Sequence, residues 1–225
     1  AKHFQPGHFY RLQNYETSAP RIGKTILQME PLALVAADCN HENGILTFIV
    51  IEKGVSSQIC SSLKPGEKVS LMGPTGIRAK ISDEHETVLI IGDQLALPLL
   101  HSYGNALRKK GNRVIFCSTT DEEFPQKIIN QCSDVIIQAS SSTNCIDNLL
   151  QYDATHPTIP LADVDRIYLI GTTCLLKEFQ TVRQTLLKTV FIKNPEIHAS
   201  VYSTMQCMLK GVCAQCLQWQ IDPET

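Results

Sequence analysis

Val88-Leu89-Ile90-Ile91-Gly92-Asp93-Gln94-Leu95-Ala96-Leu97-Pro98-Leu99-Leu100 is the stretch that decides the fold. Four large aliphatic residues in a row read as a strand buried on both faces, which is the habit of a parallel sheet. The strand ends at Gly92, and a helical pattern follows within a few residues, running over 95–110 and stopping at Gly111. Where a strand passes directly into a helix, backbone N–H groups and the helix dipole converge, and α/β sheets hold phosphates there.

Working outward towards the C-terminus, the pattern repeats. Residues 113–117, 135–138, 166–170 and 196–201 read as strands, and 125–132 and 174–187 as helices. Strands alternating with helices predict a doubly wound, parallel α/β domain over 86–204. Towards the N-terminus the character changes. Short β-branched runs at 8–12, 25–29, 32–36, 46–52 and 68–72 are broken by turn signals such as Pro65-Gly66 and Gly73-Pro74-Thr75-Gly76. These predict a small antiparallel β-barrel over 1–85 with one helix near 56–63. Ser82-Asp83-Glu84-His85-Glu86 is the polar hinge between the two parts. Residues 205–225 form a third, cysteine-rich segment.

Several runs carry a resemblance. Pro6-Gly7-His8-Phe9 resembles a P-G-Q-F strand entry, and Gly54-Val55-Ser56-Ser57 followed by Leu63-Lys64-Pro65-Gly66-Glu67 resembles G-x-x-T…L-x-x-G-D. Gly73-Pro74-Thr75-Gly76 resembles G-P-x-G. Gly92 and Pro98 are kept from G-G-G-x-G-x-x-P, and Gly171-Thr172-Thr173-Cys174 resembles a strand ending in C-G-P-x-x-M. Met205-Gln206-Cys207 opens a run similar to M-x-C-G-x-G-x-C-x-x-C. In this order, the matches resemble the ferredoxin–NADP reductase superfamily, closest to the electron-transfer subunits of dihydroorotate dehydrogenase and related iron–sulfur flavoproteins.

The resemblance implies three sites. FAD would lie against Pro31, Leu32, Ala33, Leu34, Gly54, Ser56 and Ser57. A nicotinamide dinucleotide would lie against Gly92, Asp93, Gln94, Ala96, Pro98, Gly171, Thr172 and Cys174. A 2Fe–2S cluster would be held by Cys207, Cys213 and Cys216, with its fourth ligand missing from the C-x5-C-x2-C run. The plant-type ferredoxin spacing is C-x4-C-x2-C, one residue shorter. Alternatives for this cysteine run are free thiols, a zinc site completed by His198 or water, and a Cys213–Cys216 disulfide.

The departures from the family pattern are chemical. Its R-P-x-S flavin motif is Glu30-Pro31-Leu32-Ala33 here, so a carboxylate stands where a guanidinium would pair with phosphate. Arg11 and Arg21 are candidates to replace it. Three consecutive glycines become Gly92-Asp93-Gln94, with Ala96 at the later glycine. Asp93 suits a helix N-cap, where its charge competes with a phosphate. Ser118-Thr119-Thr120-Asp121 has no arginine for a 2′-phosphate, which favours NAD over NADP.

Twenty basic and 22 acidic residues among 225 leave no basic stripe for nucleic acid. The apolar runs are too short to insert in a membrane. Nine cysteines without a secretory signal fit a reducing, cytoplasmic setting. A start at Ala1 and an end nine residues after Cys216 suggest a piece of a longer polypeptide. Two functions follow as expectations. One is an electron-transfer module passing electrons from NAD(P)H through flavin toward the cluster or a partner subunit. The other is a cofactor-free docking or structural domain of a larger oxidoreductase. The expected partners are further domains of the same polypeptide or a catalytic oxidoreductase subunit.

Overall fold

The computed structural model describes residues 4–81, 85–121, 123–138, 145–155 and 157–201. They fall into two compact units. One takes in 9–34 and 52–76, and the other takes in 4–8, 35–51 and 77–201. The N-terminal strands are β1 (Phe9–Asn14), β2 (Arg21–Ile22), β3 (Thr25–Ile26), β4 (Leu32–Asn40), β5 (Ile45–Phe48) and β6 (Val69–Thr75), with α1 (Val55–Cys60) before β6.

In the smaller unit, β1 pairs antiparallel with β6, from Asn14↔Val69 to Phe9↔Thr75. β2 and β3 make a two-residue ribbon. Asn14, buried at the end of β1, fixes the approach to β4. Its Oδ1 accepts from the Met29 N–H at 2.9 Å, and its Nδ2 donates to the Leu27 carbonyl at 3.2 Å. In the larger unit, the second half of β4 pairs antiparallel with β5, from Ala36↔Phe48 to Asn40↔Ile45. The expected closed barrel is not seen among the described strands. The physical reason is length and burial: β2 and β3 are too short to close a wall, and Leu71 and Met72 of β6 are exposed.

The remaining strands are β7 (Thr87–Gly92), β8 (Arg113–Ser118), β9 (Val135–Ile137), β10 (Arg166–Gly171) and β11 (Glu196–Val201). They form one parallel sheet in the order β11-β10-β7-β8-β9. The order reverses between β7 and β10, which makes that junction the topological switch point. Helices cover both faces. Leu89, Ile91, Ile115, Ile167 and Leu169 pack on one side with Leu149 of α5 (Cys145–Ala154), Phe179 of α6 (Thr173–Arg183) and Leu187 of α7 (Leu186–Val190). Val88, Ile90, Val114, Phe116 and Ile170 pack on the other with Leu100, Tyr103, Leu107 and Ile129. The alternation along each strand is the two-residue period of a pleated sheet.

Two expected helices are interrupted. The segment after β7 is a short 3-10 turn at Gln94–Ala96, α2 (Leu97–Leu99), a π-helical turn at Leu100–Gly104, and α3 (Asn105–Lys109). Gly104 lies directly against the Cys132 backbone at the end of α4 (Gln126–Cys132), where no side chain fits. The wide turn also aims His101 Nδ1 at the Ala37 carbonyl, 2.9 Å away. The helix expected over 174–187 divides between α6 and α7.

At the N-terminal end of the sheet, aspartates hold strand amides. Asp165 accepts from the Thr87 N–H at 2.9 Å and from Lys193 at 2.8 Å, and Asp134 accepts from the Val114 N–H at 2.8 Å and from Arg108 at 3.0 Å. Arg166, the first residue of β10, is 2% exposed. Its guanidinium donates to the Lys80 carbonyl at 2.8 Å, to the Tyr103 hydroxyl at 3.2 Å and to Glu86 at 3.0 Å. A buried charge is tolerated because these partners compensate its lost hydration.

Candidate functional site

The switch point is open. A cleft of about 300 Å³ lies at the C-terminal ends of β7, β8 and β10. Asp93, Thr119, Thr120, Gly171, Thr172 and Cys174 line it, along with Cys145, Leu175 and Glu178. Gly92 ends β7 beneath it. A Cβ on Gly92 would come within 2.6 Å of the Ala96 Cβ and 2.7 Å of the Ile170 carbonyl. Glycine is therefore required for close packing of the turn on the neighbouring strand.

Asp93 caps the turn that follows, its carboxylate accepting from the Leu95 N–H at 2.8 Å. Thr172 caps α6 in the same way, accepting from the Leu175 N–H at 3.3 Å. Two sites where free N–H groups would meet a phosphate thus carry their own side-chain acceptors. Glu178 follows Cys174 by one helical turn and faces the same cleft. Burial pushes the Cys145 thiol up to about 12, reinforced by the Glu178 charge, so Cys145 stays protonated.

Of the residues expected at a dinucleotide site, Asp93, Gly171, Thr172 and Cys174 line the cleft together. Gln94 is half-buried in the 3-10 turn, and Ala96 and Pro98 are buried in core packing. Cys145 and Glu178 were not anticipated. The i, i+4 spacing of Cys174 and Glu178 is the sequence signal that would have found the second.

The flavin-type residues lie in the smaller unit, where the structure brings the two segments together. The Glu30 N–H donates to Ser56 Oγ at 3.0 Å. Ser57 is turned inward: its hydroxyl donates to the Gly54 carbonyl at 2.8 Å and accepts from the Gly54 N–H at 2.9 Å. Pro31, Leu32 and Leu34 are half-buried, while Ala33 and Glu30 are exposed. Arg11 lies on β1 and Arg21 on β2. Cys207, Cys213 and Cys216 lie outside the described residues. Among the described residues, no group of three or more histidine, cysteine or carboxylate side chains is placed to hold a metal. No helix among them is long and apolar enough to cross a membrane.

No family model matches the chain. An uncharacterised protein of Rickettsia prowazekii (strain Madrid E) is 31% identical over 221 residues, taking in 97% of this chain and 24% of that protein. The chain therefore spans about a quarter of that relative's length. The electron transfer subunit of dihydroorotate dehydrogenase B (NAD(+)) from Bacillus cereus (strain AH187) is 23% identical over 225 residues, covering 97% of this chain and 79% of the subunit. Among solved structures, the NADH-dependent reduced ferredoxin-NADP oxidoreductase studied for flavin-based electron bifurcation superposes with a TM-score of 0.70 at 19% identity. That superposition covers 96% of this chain and 72% of the other.

The chain thus has a ferredoxin–NADP reductase-like fold and is similar in sequence to an electron-transfer subunit of dihydroorotate dehydrogenase. The cofactors that this likeness implies would meet the following side chains. Threonine hydroxyls at 119 and 172 suit the sugars of a dinucleotide, and the absence of a lining cation among the described residues suits one without a 2′-phosphate. Asp93 and Glu178 oppose a pyrophosphate, as Glu30 does in the flavin-type segment. The cleft fits the nucleoside parts of the cofactor better than its phosphates.

Proposed function

We propose that the chain is an electron-transfer oxidoreductase module of the superfamily type, working with NAD rather than NADP. The observation that carries this reading is the switch-point cleft, where Gly171, Thr172 and Cys174 of one strand end meet Asp93 and Thr119–Thr120 of the next two. Electrons would pass from NADH through a flavin held by residues 31–34 and 54–57 toward a 2Fe–2S cluster or a partner subunit. Nicotinamide and flavin supply the redox chemistry when bound, and the protein's part is to position them. Cys207, Cys213 and Cys216 would supply three of the cluster's ligands, the fourth coming from elsewhere. The name of the Bacillus subunit supports a catalytic oxidoreductase subunit as partner, and the greater length of the Rickettsia relative supports further domains of one polypeptide.

A second reading is favoured by one specific contact. The Asp93 carboxylate already satisfies the Leu95 N–H, and Glu178 adds a second negative charge to the cleft. On this reading the module has given up its cofactors and serves as a docking domain of a larger oxidoreductase. Visible absorption of the purified chain, followed by calorimetric titration with FAD and NADH, separates the two. Flavin bands together with NADH binding support electron transfer. A colourless protein that takes up neither, even as D93G with the Leu95 N–H released, overturns it.

A further inference from the structure

A second cavity lies away from the switch point, in the larger unit, and the features described above do not account for it. It holds about 230 Å³ between α6, α7 and the first residues of β10 and β11. Its floor is apolar: Ile167, Phe179, Leu187 and Phe191 are all at least nine-tenths buried. Its rim carries Arg183 and Lys188, and no carboxylate among the described residues lines it. Arg183 closes the last turn of α6, and Lys188 sits on α7. Among the described residues neither cation has an acidic partner, in contrast to Arg108, Arg113, Arg166 and Lys193, which are each ion-paired.

We propose that this cavity is a binding site for a small monocarboxylate with an apolar body. An apolar pocket with a few convergent polar groups is the usual form of a small-molecule site. Here the charged groups are of one sign, with Gln184 and Asn194 as neutral polar neighbours, so the ligand's head is anionic. The volume lies below the roughly 300–1,000 Å³ of drug-sized sites, which selects a short hydrocarbon or single-ring acid over a nucleotide. Arg183 is suited to a planar carboxylate, which its guanidinium can grip through two parallel hydrogen bonds. The site is distinct from the cleft. α6 begins at the cleft with Thr173 and reaches the cavity at Arg183, a span of about 16 Å for 11 residues.

The test is a titration of the full 225-residue chain, with its isoleucine δ1 methyls labelled, against octanoate, octanamide and acetate. Ile167, Ile192 and Ile197 line the cavity and report on it directly. The expected result is saturable shifts of these three methyls by octanoate, with affinity about tenfold above that of octanamide. Acetate, lacking the apolar body, should produce none. In R183Q/K188Q, octanoate should fall to the level of octanamide while the other methyl signals stay dispersed. Equal binding of octanoate and octanamide to the unmodified chain overturns the proposal. So does acetate binding as well as octanoate, or octanoate shifts that leave these three methyls unmoved.

Discussion

The two ends of β10 handle charge in opposite ways. At its start, Arg166 is buried and surrounded by the Lys80 carbonyl, Tyr103, Glu86 and, at 3.4 Å, Glu196. At its end, Gly171 and Thr172 open onto a cleft lined by Asp93 and Glu178, with no cation among the described residues that line it. The first arrangement holds the segment before β7, the sheet and the π-helical turn to one point. The second leaves carboxylates on the wall of an open cleft. One strand therefore carries a buried, compensated charge at one end and an open acidic cleft at the other, along its six residues.

The largest effect should come from the cohesive end. R166M leaves Glu86, its side chain 14% exposed, without its partner, and breaking a buried pair on one side costs about 3–5 kcal/mol. Urea unfolding measures it, and R166M/E86Q should recover part of the loss. A cost for R166M below about 1 kcal/mol would place it in the range of an exposed pair and erase the contrast between the two ends. Next comes G92A. Its new methyl meets Ala96 and the Ile170 carbonyl within 2.7 Å, and overpacking of this kind costs about 1–3 kcal/mol. Thermal unfolding should show it whether or not a dinucleotide is added, because the glycine serves packing.

At the open end, T172A removes a helix cap and should lower stability by about 1 kcal/mol. D93N keeps a capping oxygen while removing the charge. It should leave stability nearly unchanged and tighten any NADH binding, which sharpens the distinction between capping and repulsion. The smallest effect is confined to alkaline pH. Burial raises Cys132 to about 11 and Cys145 to about 12 from the usual 9.0. Between those values and 9.0 the folded state keeps protons that the unfolded chain releases. Their contribution is therefore fully present below pH 9 and fades as pH rises toward 11–12. Comparing the alkaline stability slope with that of C145A checks it.

The parallel sheet was legible because its strands are buried on both faces, so that Leu89, Ile90 and Ile91 form an unbroken apolar run, and such runs alternate with helical patterns along the chain. The barrel was not, because β-branched runs with turn signals predict strands without fixing their length, and β2 and β3 stop after two residues. Asp93 as a cap was legible from its place between strand and helix. The role of Arg166 was hidden. Its partners lie 63, 80 and 86 positions away along the chain, and a lone arginine before an apolar strand has no local pattern. Cys145 entered the cleft unforeseen because it opens α5, an element with no counterpart in the sequence reading. Its helical spacing is carried by only Ile146, Leu149 and Leu150.

The wide turn at Leu100–Gly104 also bears on how this chain can change. Deleting one residue there would turn the segment into a regular α-helix and should, taken by itself, stabilise its backbone. Everything after the deletion would then rotate by about 100°. Gly104 would leave the Cys132 backbone, and a residue with a side chain would take its place where none fits. Tyr103 would turn away from Lys80 and Arg166. A single-residue deletion is thus blocked from both sides of the turn, and the irregular helix is kept by its neighbours rather than by its own sequence.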